Sequence, residues 1–95
     1  MYVVLLKFSE NKSKAPDFMD GHNNWLRAGF EEGVFLASGT LQPKAGGGIL
    51  AHNTTREALD ARIAADPFVA EGVVAAEVLE IDAARTDARL DFLKA

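Results

Sequence analysis

Ninety-five residues, 48% hydrophobic and 25% charged, describe one globular domain with a modest core and no room for a second. A net charge of −4 without any cluster of Lys or Arg argues against a nucleic-acid surface, and the lack of cysteine excludes disulfides and thiolate metal sites. The apolar start, Tyr2 to Leu6, has no basic leader and is too short for a signal or membrane-spanning segment, so a cytoplasmic protein without a membrane partner is expected.

Tyr2 to Phe8 is short, rich in β-branched and aromatic residues, and reads as a strand. Val3 and Leu5 point to one face while Tyr2, Val4, Leu6 and Phe8 point to the other, so both faces need cover. Glu10 to Ala15 is a polar loop, and Pro16 suits the first turn of a helix whose positive end is favoured by Asp17 and Asp20. Phe18, His22, Leu26 and Phe30 recur at i, i+4 spacing, with Trp25 and Gly29 beside them, and form one apolar stripe. Gly33 suits the position just past the helix end.

Val34 to Leu41 is the second strand, ending before Pro43. Gly46-Gly47-Gly48 leads into a third strand, Ile49 to His52, and the two strands form a hairpin. Thr54-Thr55-Arg56-Glu57 fits a capping box with Thr54 as cap and Glu57 reaching back. That box opens a second helix running to about Ala65. Val73 to Ile81 is the last strand. The tail, residues 83–95, has helix-favouring composition, and its Leu90, Phe92 and Leu93 call for a surface on the body or on a partner, the cleft rim being one place for it.

The order is βαββαβ, the ferredoxin-like α+β arrangement over residues 1–82, with both helices on one face of an antiparallel sheet. Strand one is apolar on the uncovered face as well, so a homodimer packed sheet against sheet is expected.

Two residues are out of place in this frame. His22 lies inside the apolar stripe of the first helix. Asp66 stands where the second helix runs out before Pro67, and a carboxylate facing the negative end of a helix dipole costs about 0.3–1 kcal/mol. If the fold brings them together, each accounts for the other as an oriented His-Asp pair able to move a proton at neutral pH. The alternatives are a histidine satisfied by a backbone carbonyl and an Asp-Pro turn satisfied by local amides.

Ser38, at the end of strand two, is a candidate hydrogen-bond donor to substrate, although Ser-Gly is a common turn signal. Trp25 and Phe68 are candidates for holding a flat ring, with core packing as the other reading. His52 reads as a loop residue, and no ligand spacing supports a metal site or any cofactor. The triple glycine precedes a strand instead of a helix, so a hairpin is favoured over a phosphate cradle.

These residues together resemble the YCII-related (YciI-like) family. The likeness runs from Met1 to about Asp82 and rests on the apolar first strand, His22 with Trp25-Leu26, Gly33-Val34-Phe35-Leu36-Ala37-Ser38-Gly39 and Gly47-Gly48-Ile49-Leu50. Its most specific block is Ala65-Asp66-Pro67-Phe68-Val69-Ala70-Glu71-Gly72-Val73. The resemblance implies the dimeric α+β barrel fold and a His-Asp pair in a cleft, carried here by His22 and Asp66. One branch of the family is similar to dehydrochlorinases acting on hydroxylated aromatic rings, and relatives of the fold include muconolactone isomerases. The chain departs from the family in its tail and in the polar run Gly21-His22-Asn23-Asn24, which leaves the substrate open. The expectation is a small enzyme of lyase or isomerase type acting on a small cyclic or aromatic metabolite with His22 as base and Asp66 as its orienter. A non-catalytic ligand-binding or structural dimer domain is the competing reading.

Overall fold

The first strand, β1 (Tyr2–Phe8), is an inner strand of the sheet, paired with a neighbour on each edge. In the computed structural model, which describes residues 1–94, four antiparallel strands lie in the order β2 (Phe35–Leu41), β3 (Gly46–Ala51), β1, β4 (Val74–Glu80). Strand pairing places Val4 opposite Ile49 and Val78, and Leu6 opposite Gly47 and Ala76. Paired residues share a face, so one face of the sheet collects Tyr2, Val4, Leu6, Ile49, Ala51 and Val74, all buried.

Three helices cover that face: α1 (Ala15–Glu31), α2 (Arg56–Ala64) and α3 (Pro67–Ala70). The polar stretch before α1 includes one 3₁₀ turn, Lys12–Lys14. Helix α1 ends in a Schellman arrangement: Gly33, at φ +76°, donates its N–H to the Phe30 carbonyl at 3.1 Å, and Val34 donates to Gly29 at 3.0 Å. That turn aims the chain directly into β2. Gly29 is needed for a different reason, because a Cβ there would collide with the Phe35 ring. From α2, Leu59 and Ile63 reach the core, and α3 contributes Phe68.

Beyond shifts of one residue at strand ends, three features differ from the sequence reading. The cap of α2 is Thr55 instead of Thr54: the Thr55 hydroxyl accepts from the Ala58 N–H at 3.1 Å, which puts Ala58 where the box expected Glu57. The left-handed turn at Asn53 (φ +54°) uses the extra residue. Strand β3 starts at Gly46 instead of Ile49, since the glycines continue the backbone ladder to Leu41, Thr40 and Gly39 on one side and to β1 on the other. The short helix α3 after Pro67 was not foreseen.

Among the described residues no α-helix covers the opposite face of the sheet, and the tail borders part of it. Val3 and Leu5 are half-buried there, and Leu50 and Leu79 are exposed by 37% and 46%. The tail forms a 3₁₀ helix, Ala88–Leu93. Its polar side chains close on one another: Asp87 accepts from the Arg89 N–H at 2.9 Å, and the Thr86 hydroxyl donates to Asp91 at 3.0 Å. Phe92 sets its ring edge-on to His52, 5.4 Å between centroids. The tail thus lies at the Tyr2 end of β1 and lines no part of the cleft described below. Its last residue, Ala95, lies outside the described residues.

Candidate functional site

The chain leaves α2 at Ala65 and turns at once into α3, so Asp66 is the N-cap of α3 and not the unfavourable C-terminal residue of α2. Its Oδ1 accepts the Phe68 N–H at 3.0 Å. The dipole cost expected for a carboxylate at the end of α2 therefore does not arise; a backbone donor meets the charge instead. Pro67 fits the first position of α3, where its missing N–H has no helical partner in any case.

Helix α1 brings the histidine. Its Gly21 lies against Pro67, where an added Cβ would sit 3.0 Å from the ring Cγ, so the absence of a side chain lets α1 and α3 approach. At that approach His22 Nδ1 lies 2.8 Å from Asp66 Oδ1. Asp66 is fully buried and the His22 side chain is 13% exposed. Asp66 Oδ2 is buried without a hydrogen-bond partner among the described residues, so the carboxylate is held through Oδ1 alone. With an ionised Asp66 and a neutral imidazole, Nδ1 donates the shared hydrogen bond and Nε2 is the acceptor of the ring.

Two aromatic rings flank the imidazole. Phe68 stacks on it with centroids 4.1 Å apart and planes 5° from parallel. Trp25 lies 5.7 Å away at 26°. Trp25 is otherwise committed: its indole N–H donates to the Arg62 carbonyl at 2.8 Å and its ring meets Phe35 edge-on at 5.1 Å. Arg62 in turn reaches Glu32, beyond the end of α1, at 3.0 Å. The Arg62 guanidinium, by hydrogen bond first and by charge second, holds the Glu32 carboxyl below its ordinary value of 4.5. Trp25, Arg62 and Glu32 thus tie α1 to α2.

Beside His22, between α1 and the sheet, is a cleft with two lobes. The larger, about 200 Å³, is walled by Met19, Asn23, Phe8 and Phe68 and floored by Thr40 and Gly47. The smaller, about 140 Å³, includes Leu26, Ser38 and Ile49. Leu6, His22, Gly39 and Gly47 line both. Of the residues singled out from sequence, the structure brings His22, Asp66, Phe68 and Ser38 to this place. Trp25, a sequence candidate for substrate contact, lines neither lobe and stands behind the imidazole. Met19, Asn23, Thr40 and Gly47 were missed. Thr40 could have been found, since it shares a strand face with Ser38 two residues away. A larger cavity, about 640 Å³, lies between the tail and the uncovered sheet face, remote from the His22–Asp66 pair. Among the described residues no group of three or more His, Cys, Asp or Glu could hold a metal ion.

The strand order and the two-layer packing define an α+β protein of ferredoxin-like fold. The chain belongs to the YCII-related domain family, which matches residues 1–82. Among solved structures it is similar to 5-chloro-2-hydroxyhydroquinone dehydrochlorinase (TftG) from Burkholderia phenoliruptrix AC1100, determined in complex with 2,5-dihydroxybenzoquinone. That likeness has a TM-score of 0.65 at 14% identity, covering 85% of this chain and 93% of the other, and shows the fold. No curated protein matches the chain in sequence. No helix among the described residues is long and apolar enough to cross a membrane.

Proposed function

We propose that this protein is a cytoplasmic enzyme of isomerase or lyase type that uses His22 as general base, oriented by Asp66, on a small cyclic or aromatic metabolite. The observation that carries the reading is the 2.8 Å contact between His22 Nδ1 and a fully buried carboxylate, at a histidine that lines a cleft. No other residue lining either lobe has an ionisable side chain. The chemistry is therefore that of a single base.

In such a reaction Nε2 takes a proton from a ring carbon or hydroxyl, and the electrons of that bond enter the ring system. Asp66 supports the imidazolium that results. The proton then returns to another atom of the same ring, which is an isomerisation. Alternatively the electrons expel a leaving group such as halide, which is an elimination, and the proton passes to water. Ser38 and Thr40 supply hydroxyls for substrate oxygens, and the stacked Phe68 keeps the imidazole plane fixed. The dehydrochlorinase activity named for the structurally similar protein supports the lyase form of this reading.

The test is to incubate the protein with chlorinated hydroxyhydroquinones and dihydroxybenzoquinones and follow absorbance and chloride release. Turnover is expected in the wild type and a loss of about 10²–10⁴-fold in His22→Ala, the usual contribution of a general base. An equal rate in the variant would remove the reading. Saturable binding without product would make the protein a binding module.

We propose also that the protein is a homodimer of two-fold symmetry, joined through the sheet face that no α-helix covers. The exposed Leu50 and Leu79 and the half-buried Val3 and Leu5 on that face support this.

A further inference from the structure

Three glycines run together at positions 46–48, and they stand in different environments. Gly46 is required by the backbone: its φ is +134°, and a Cβ there would collide with the Leu6 carbonyl oxygen. Gly48 is paired with Gly39 and with Leu5, on the face turned away from the helices. Gly47 has no such requirement. Its φ is not positive, and a Cβ would meet only the Gly39 carbonyl oxygen, at 3.6 Å, an ordinary contact. Glycine inside a strand weakens it, and where it persists it marks a bulge or the close approach of a backbone or a ligand. At Gly47 the ladder is regular on both sides and no other backbone crowds the site.

The side of Gly47 that lacks a side chain faces the helices, because its partner Leu6 is buried on that side. Gly47 and His22 line both lobes of the cleft. We propose that Gly47 is the specificity-determining floor of the site, left empty so that a flat ring can lie on the strand across the cleft from the His22 imidazole. The proposal rests on the proton-transfer reading of His22 given above. Register puts Thr40 directly beside Gly47 on one side and Leu6 on the other. A ring seated there has a hydroxyl at one edge and an alkyl group at the opposite edge. That selects a planar substrate with oxygen on one side and an apolar edge on the other.

The experiment uses the full chain, with hydroquinone as probe and the His22 imidazole NMR signals as reporter. Wild type should respond saturably. Gly47→Ala should weaken the response by about tenfold or more, the usual worth of one carbon in a tight pocket, and Gly47→Val should abolish it. The thermal midpoint of Gly47→Ala should equal or exceed that of wild type. A fall in that midpoint would overturn the proposal, by showing that the fold itself needs the glycine. An undiminished response in Gly47→Val, or a silent wild type, would overturn it as well. The proton-transfer reading fails separately, through turnover that survives in His22→Ala, because the imidazole signals report binding whether or not the probe reacts.

Discussion

The imidazole of His22 lies flat on the ring of Phe68, 4.1 Å away and 5° from parallel. Phe68 also donates its backbone N–H to the carboxylate oxygen that His22 contacts. One residue therefore holds both members of the pair, through its ring and through its main chain.

Phe68→Leu keeps the backbone N–H and much of the buried volume but removes the stacking surface. It should cost about 1–3 kcal/mol in urea unfolding, less than full truncation of a buried aromatic. Turnover should fall while Asp66 stays in place, because the imidazole gains freedom about its axis. Unaltered kinetics would show that the stack plays no part in orienting His22.

Asp66→Asn replaces an acceptor-only group by one that can also donate. The Phe68 N–H keeps the amide oxygen in the Oδ1 position, so Nδ1 still donates there, but the negative charge that supports an imidazolium is gone. Imidazole ¹⁵N shifts should report the loss of the neighbouring charge, and kcat should fall by about 10²–10⁴-fold. His22→Ala makes a different prediction, since it leaves Asp66 buried with one donor; breaking a buried pair in this way costs about 3–5 kcal/mol. A His22→Ala protein as stable as wild type would mean that the carboxylate is solvated or neutral without its partner.

The Glu32–Arg62 pair has a pH signature. The Glu32 carboxyl is lowered in the folded protein, first by the Arg62 hydrogen bond and then by its charge. Folding is therefore favoured above the ordinary value of 4.5, and the contribution is lost as pH falls through the lower folded value. Glu32 is exposed, so the effect is small. Glu32→Gln should be slightly less stable than wild type at neutral pH, and the two curves should merge on acidification. Curves that stay apart at low pH would assign the difference to something other than the charge.

The sheet face that no α-helix covers should hold a second copy of the chain. Interfaces of this obligate kind commonly bury more than about 2,000 Å². Sedimentation at low micromolar concentration should give one species of twice the chain mass. Leu79→Glu, 46% exposed in the protomer, should give a folded monomer. A wild type that sediments as a monomer would leave the apolar face to be explained in another way.

Much of the architecture was legible in the residues themselves. Alternation in β1, the periodic stripe of α1 and Gly33 at its end are local signals, and local sterics enforce them wherever the segment lies. The recurrence of His22 and Asp66 as misfits was also readable, because a polar group at an apolar position needs a partner somewhere. The misplaced details were local competitions. Thr54 and Thr55 are chemically equivalent caps, and only the turn at Asn53 selects between them. Asp66 could close one helix or open the next, and the four-residue α3 is too short for a periodic pattern to reveal it.

Tertiary structure alone decided the rest. Residues 22 and 66 meet because Gly21 lets α1 close on Pro67, a contact between segments far apart in the chain that no spacing encodes. The floor of the cleft follows from strand register, which places Thr40, Gly47 and Leu6 side by side although they come from three strands. Trp25 was a candidate for holding a ligand ring with core packing as the other reading, and the fold ties it to the Arg62 carbonyl between two helices. Sequence fixes what each residue can do within a few neighbours, through dihedral preference, polarity and period. Which distant residues share a cavity depends on how helices and strands pack, and that is a property of the whole folded chain.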